Sequence, residues 1–175
     1  MNKPTQYLLV GLPFSGKTTL VDELVKRLGF KSVNIDEIKK EFGYKALDDD
    51  HVPDKIWEKI FNEINKRVIK YLKNGFNVLT ETAWVKREWR DKGRLAPSKE
   101  GFKTKVIYVV CTPLTARKRL LENRQTKKRF DVPDNIFEES IRDFEVPTKD
   151  EDVIIYDQLE SLDKWIKNNF TSRLD

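Results

Sequence analysis

The residues Gly11-Leu-Pro-Phe-Ser-Gly16-Lys17-Thr18 fit G-x-x-x-x-G-K-[ST] at every fixed position. Each fixed residue type has a chemical task. The glycines let the backbone curl, so that successive N–H groups point inward at phosphate oxygens. A helix starting near Thr18 adds the positive end of its dipole. Lys17 is spaced to reach the β- and γ-phosphates, and the Thr18 hydroxyl to ligate Mg²⁺. The implied ligand is a nucleoside triphosphate, ATP, with Mg²⁺. Gly11, Pro13, Ser15, Gly16, Lys17, Thr18 and Thr19 are its expected contacts, and Lys17 is also expected to act in catalysis.

Two carboxylates extend the constellation. Asn77-Val-Leu-Thr-Glu81 is an apolar strand ending in an acid, the place from which a carboxylate orients Mg²⁺ through water. A helix-capping or salt-bridging acid is the other reading of Glu81. Asp36 ends a second strand. A carboxylate can act as a base toward an acceptor hydroxyl only when held within hydrogen-bond reach of it, and Asp36 is the candidate. Asp36 also suits a plain helix N-cap, and one carboxylate can serve both roles.

Two basic segments follow. Thr112–Phe130 holds seven basic residues and one acid, Glu122. Such a segment can close over a triphosphate as a lid and neutralise charge that develops in transfer. Arginine suits this through its fork of donors and fixed charge. Arg117 and Arg124 lie two helical turns apart. Arg124 is the expected catalytic lid arginine, because the helical pattern gives way there to a polar loop; the lid is expected at about 124–134. Lys86–Lys105 holds eight basic residues and three acids beside Trp84 and Trp89. It reads either as a nucleic-acid or nucleotide platform or as an ordinary basic surface.

The elements that must position these residues follow from periodicity. Gln6–Val10, Ser32–Ile35, Phe76–Thr80, Val106–Val110 and Val153–Tyr156 read as five strands. Thr18–Leu28, Pro53–Leu72, Pro113–Leu121, Asn135–Phe144 and Leu159–Phe170 read as helices, with another beginning at Asp36. Gly43–Asp54 and Trp84–Thr104 are the least regular stretches. Alternating strands and helices imply an α/β fold: three layers, α/β/α, around a mainly five-stranded parallel sheet. Loops after the carboxyl ends of such strands line the ligand crevice.

At 175 residues the chain fits a single domain, 1–175. Charged residues at 36% make it polar, but aromatics at 11% argue against disorder. The net charge of +5 is small beside 34 basic and 29 acidic residues, so location matters more than the total. One cysteine, Cys111, excludes an intrachain disulfide framework, and one histidine, His51, excludes a two-histidine metal site. The first apolar stretch is too short for a signal peptide, and no run suffices to span a membrane. The expectation is a cytoplasmic protein.

The stretches GLPFSGKTT, NIDEIKKEFG, FNVLTETA and RKRLLENRQ…FEVPTKDEDVIIYD resemble the small P-loop kinases allied to polynucleotide kinase and zeta toxin, over nearly the whole chain. In polynucleotide kinases an Asp followed three residues later by Arg supplies the base and a contact to an acceptor phosphate. Asp36 matches the Asp. Lys39 stands for the Arg, without its bidentate fork, and is with Asp36 the expected acceptor contact. Many small kinases carry Gly where Phe14 stands. The Phe144, Glu145, Pro147, Asp150 and Glu151 pattern recurs in the group and reads as structural, near the nucleotide base. The resemblance implies an ATP-dependent phosphotransferase acting on an acceptor hydroxyl, on a nucleoside or a nucleic-acid 5′ end. A sugar or antibiotic kinase is an alternative, as is an ATP-binding switch without acceptor. The absence of an N-K-x-D motif speaks against a GTPase.

Overall fold

The computed structural model describes residues 3–45, 49–82 and 84–171. Five strands, β1 (Thr5–Val10), β2 (Lys31–Asn34), β3 (Val78–Glu81), β4 (Lys103–Val109) and β5 (Val153–Tyr156), form one sheet in the order β2-β3-β1-β4-β5. Every neighbouring pair is parallel. The connecting helices are α1 (Lys17–Leu28), α2 (Ile35–Glu41), α3 (Asp54–Lys73), α4 (Arg87–Lys99), α5 (Pro113–Thr126), α6 (Asp134–Arg142) and α7 (Leu162–Ile166). The expected three-layer α/β/α arrangement is the one observed.

Side chains on a strand alternate between faces. Tyr7, Leu9, Leu79 and Ile107 pack against Leu20, Val21 and Leu24 of α1 and Trp165 of α7. Their sequence neighbours Leu8, Val10 and Val106 pack on the other face against Trp84. Val33 and Val78 meet Ile60, Ile64 and Val68, one stripe of α3. Because both faces are covered, β1 is buried along its whole length, and after the buried polar Thr5 and Gln6 it reads as an apolar run, Tyr7–Val10. Full burial of one such side chain, Leu24 for example, stabilises the fold by about 1.5–3 kcal/mol.

Three expectations differ from what forms. Asn34, not Asp36, caps α2: its side chain accepts the Asp36 N–H at 2.8 Å, leaving Asp36 in the first turn. The stretch 84–104, read as irregular, holds the 13-residue helix α4. Its buried positions are Arg90 and Pro97 rather than aliphatic residues, so no apolar period announces it. The last helix is shorter than expected, with Ser161 as its cap, and continues as a π turn over Lys167–Thr171. Of the other irregular stretch, Asp49–His51 forms a 3₁₀ turn, and residues 46–48 lie outside those described. Among the described residues no helix is long and apolar enough to cross a membrane.

Candidate active site

The strand order brings the carboxyl ends of β1, β2 and β3 side by side. In register, Leu8 faces Thr80 and Asn34 faces Glu81. The loop after β1, Asp36 just beyond β2 and Glu81 at the end of β3 therefore share one rim.

The loop 11–16 is tightly wound. Gly11 (φ +154°) lies so close to β4 that a Cβ there would sit 2.7 Å from the Val109 carbonyl oxygen. Gly16 has φ +107° and leads into α1. Phe14 adopts φ +62°, a left-handed conformation that glycine takes without strain. Its ring packs at the edge of the cluster formed by Leu12, Ala116, Leu120 and Phe137, which roots the loop against α5 and α6. The Lys17 ammonium donates to the carbonyl oxygens of Gly11 and Leu12, at 2.8 Å each. Burial pushes its pKa down to about 8, against the opposing pull of Glu81 and Cys111. Ser15 Oγ is the one buried side-chain polar atom among the described residues without a hydrogen-bond partner. A wound loop with inward glycines, a buried cation and an orphaned hydroxyl fits an anionic phosphate chain. Thr18 and Thr19 are exposed at the start of α1, where a metal and a phosphate could reach them.

Glu81 accepts a 2.6 Å hydrogen bond from the Ser32 hydroxyl. Burial raises its pKa; the Ser32 bond opposes this, Asp22 and Glu37 add to it, and Lys17 lowers it. Asp36 is likewise pushed up by burial and pulled down by Lys39. Lys39 is almost fully buried, at 2% exposure. Its ammonium lies 3.5 Å from Asp36 Oδ1, pairs with Asp49, and sits 5.6 Å over the Trp57 ring. Lys39 is thus held by protein carboxylates, where the resemblance had it meeting an acceptor.

The lid segment divides its arginines. Arg124 is bound to Asp131, Asp134 and the Val132 carbonyl, which folds the α5–α6 connection, and it does not line the cavity beside the loop 11–16. Two arginines that the sequence did not single out reach the loop. Arg119 donates to the carbonyl oxygens of Phe14 and Ser15 and to Gln158. Arg129 donates to the Thr19 hydroxyl at 3.0 Å. Gln158, after β5, also donates to Ser15 O and Val110 O, tying the loop to the sheet. Seven basic residues in one run hinted at the first two; Gln158 carried no signal. Between loop and lid lies a cavity of about 410 Å³, lined among others by Phe14, Thr19, Asn123, Arg129, Tyr156 and Gln158.

The 145–151 pattern lies elsewhere. Buried Glu151 receives both Arg90 and Arg94 and, with Thr148, forms a capping box. Glu145 accepts the Arg87 N–H. The pattern clamps α4 to the sheet; none of it lines the cavity beside the loop.

A family model described as an AAA domain (AAA_33) matches residues 7–147. No curated protein matches the chain. Among solved structures, a gluconokinase from Sinorhizobium meliloti 1021 is 17% identical, with a TM-score of 0.63, over 95% of this chain and 90% of that one. A sugar kinase from Janibacter sp. HTCC2649 is 15% identical, with a TM-score of 0.62, over 95% and 92%. A chain of the Pnkp1/Rnl/Hen1 RNA repair complex is 20% identical, with a TM-score of 0.65, over 82% of this chain and 44% of that one. With the family model spanning most of the chain and this architecture in common, the chain belongs to the AAA_33 family and has the fold of the P-loop kinases.

Proposed function

We propose that the protein is an ATP- and Mg²⁺-dependent phosphotransferase that moves the γ-phosphate to an acceptor hydroxyl. The observation that carries the reading is the shared rim on which Lys17, Asp36 and Glu81 stand. The amides of the 11–16 loop and Lys17 hold the phosphates, and the cavity between loop and lid accepts the nucleoside. Thr18 and Glu81 hold Mg²⁺, which when bound neutralises charge on the β- and γ-phosphate oxygens. Asp36 accepts the proton of the attacking hydroxyl. Its raised pKa favours that task, since a base works best when its pKa approaches the working pH. Arg119 donates to the loop itself and Arg129 to Thr19 at the start of α1, whereas Arg124 is bound to acids of the α5–α6 connection. Arg119 and Arg129 are therefore the arginines assigned to charge that develops on the transferred group.

The proteins of like fold named above are, by their names, a gluconokinase, a sugar kinase and a chain of an RNA repair complex. Both acceptor types present a hydroxyl, as this reading requires. The experiment is transfer from γ-labelled ATP to hydroxyl compounds, with Lys17→Ala and Asp36→Ala alongside. Lys17→Ala should lose nucleotide binding or turnover. Asp36→Ala should lose transfer and keep ATP affinity. Label released only as free phosphate would replace the kinase with an ATP-hydrolysing switch.

A further inference from the structure

The acceptor side of the rim is arranged against anions. We propose that the acceptor is an uncharged, small polyhydroxy compound, and that Lys39 is a positioning residue for Asp36 rather than a contact for an acceptor phosphate or carboxylate. This rests on the phosphotransferase reading and names its substrate class.

The first observation is how Lys39 is held. Its ammonium stands between Asp36 and Asp49, with the Trp57 ring over it, and its side chain is buried. Two carboxylates on one ammonium leave this trio with a formal charge of −1. An anionic group entering here would have to displace Asp49 or stand beside two carboxylates. Either raises its free energy. Lysine also lacks the planar fork with which an arginine could serve Asp36 and a second anion together. Beyond this trio, Asp22 and Glu37 act on Glu81 as like charges and Lys17 as an opposite one, and Lys40 is a further cation acting on Asp36.

The second observation is independent of Lys39. A polynucleotide acceptor needs unpaired cations to meet its phosphates. Of the eight basic residues from Lys86 to Lys105, six are paired with carboxylates of the chain itself. The segment that looks like a phosphate platform in the sequence is internally neutralised in the fold. What remains at the acceptor side is a carboxylate rim for hydroxyl groups and an aromatic pair, Trp57 stacked on half-exposed Phe61, against which a carbon skeleton can lie.

The test is competition within matched acceptor pairs, each sharing its hydroxyls but differing in charge: glucose against gluconate, and adenosine against adenosine 3′-monophosphate. Label transferred from γ-labelled ATP is read as kcat/KM for each member. The unaltered chain should prefer the uncharged member of a used pair at least about tenfold. Asp49→Asn frees the Lys39 ammonium from one carboxylate at an exposed position and should shrink that preference about tenfold. Preference of the unaltered chain for the charged member, or an unchanged ratio in Asp49→Asn, overturns the proposal and leaves the phosphotransferase reading standing. Label released only as free phosphate across these and the other hydroxyl compounds, with ATP still bound, overturns both.

Discussion

The two arginine-rich segments look alike as strings of residues and differ in what they touch. In α4 the guanidinium groups turn inward: Arg90 is buried, forms a two-pronged pair with Glu151 at 2.7 and 2.9 Å, and donates to the Trp84 and Val85 carbonyls. In α5 and the following turn, Arg119 and Arg129 end on the phosphate-binding loop and the start of α1. The same residue type clamps a helix to the sheet in one segment and meets the loop and the start of α1 in the other. Partners, and not charge density, decide which.

This contrast can be broken most directly at Arg90. Arg90→Ala leaves Glu151 buried with half its hydrogen bonds. We expect a loss of about 3–5 kcal/mol, seen as a fall in Tm of roughly 10 °C in thermal unfolding. Arg119→Ala should behave the opposite way, with kcat/KM down about 10²–10³-fold and a smaller change in Tm. If Arg119→Ala unfolds the protein while Arg90→Ala lowers only turnover, the roles are reversed.

The α4 clamp also predicts a pH dependence. Burial alone would raise the Glu151 pKa, but the hydrogen bonds from Arg90, Arg94 and the Thr148 N–H outweigh it and bring it down to about 2. A depressed carboxylate stabilises the fold above its unfolded pKa, near 4.5, and that contribution fades as pH falls toward 2. Acid unfolding followed by circular dichroism should therefore steepen between these values, and Glu151→Gln should flatten it. Stability that rises on acidification in this window would contradict the clamp.

Gly93 provides a gentler probe of the same helix. A Cβ there would lie 2.5 Å from the Trp84 ring. Gly93→Ala should cost about 1–3 kcal/mol through overpacking, despite alanine's better helix propensity, and urea unfolding measures it. The smallest effect on catalysis is expected at Arg124. Its partners are exposed acids of the α5–α6 connection and the start of α6, so Arg124→Ala should leave kcat/KM close to that of the unaltered chain. A loss as large as that of Arg119→Ala would return the lid role to Arg124.

The phosphate-binding loop was legible in the sequence because its chemistry is local. Gly11, Gly16, Lys17 and Thr18 act through one turn of backbone, so their spacing alone carries the meaning. The three central strands were legible for a similar reason, since burial on both faces leaves apolar runs such as Tyr7–Val10 in β1. Glu81 could be placed at the end of its strand for that reason too. Helix α4 was hidden because its inward stripe is Arg90, Gly93 and Pro97, which no hydrophobic period reveals.

What the sequence determined by itself was the phosphate-binding loop, the alternation of strands and helices and the strand end on which Glu81 stands, whereas Asp36, expected at a strand end, stands in the first turn of α2. Only the tertiary structure decided which cations are available there. Arg119, Arg129 and Gln158 meet the loop across 104, 110 and 143 residues of chain. Lys39 is enclosed by Asp49 ten residues on and by Trp57 of the following helix. A charge is visible in a sequence, but its partner depends on packing between elements distant along the chain.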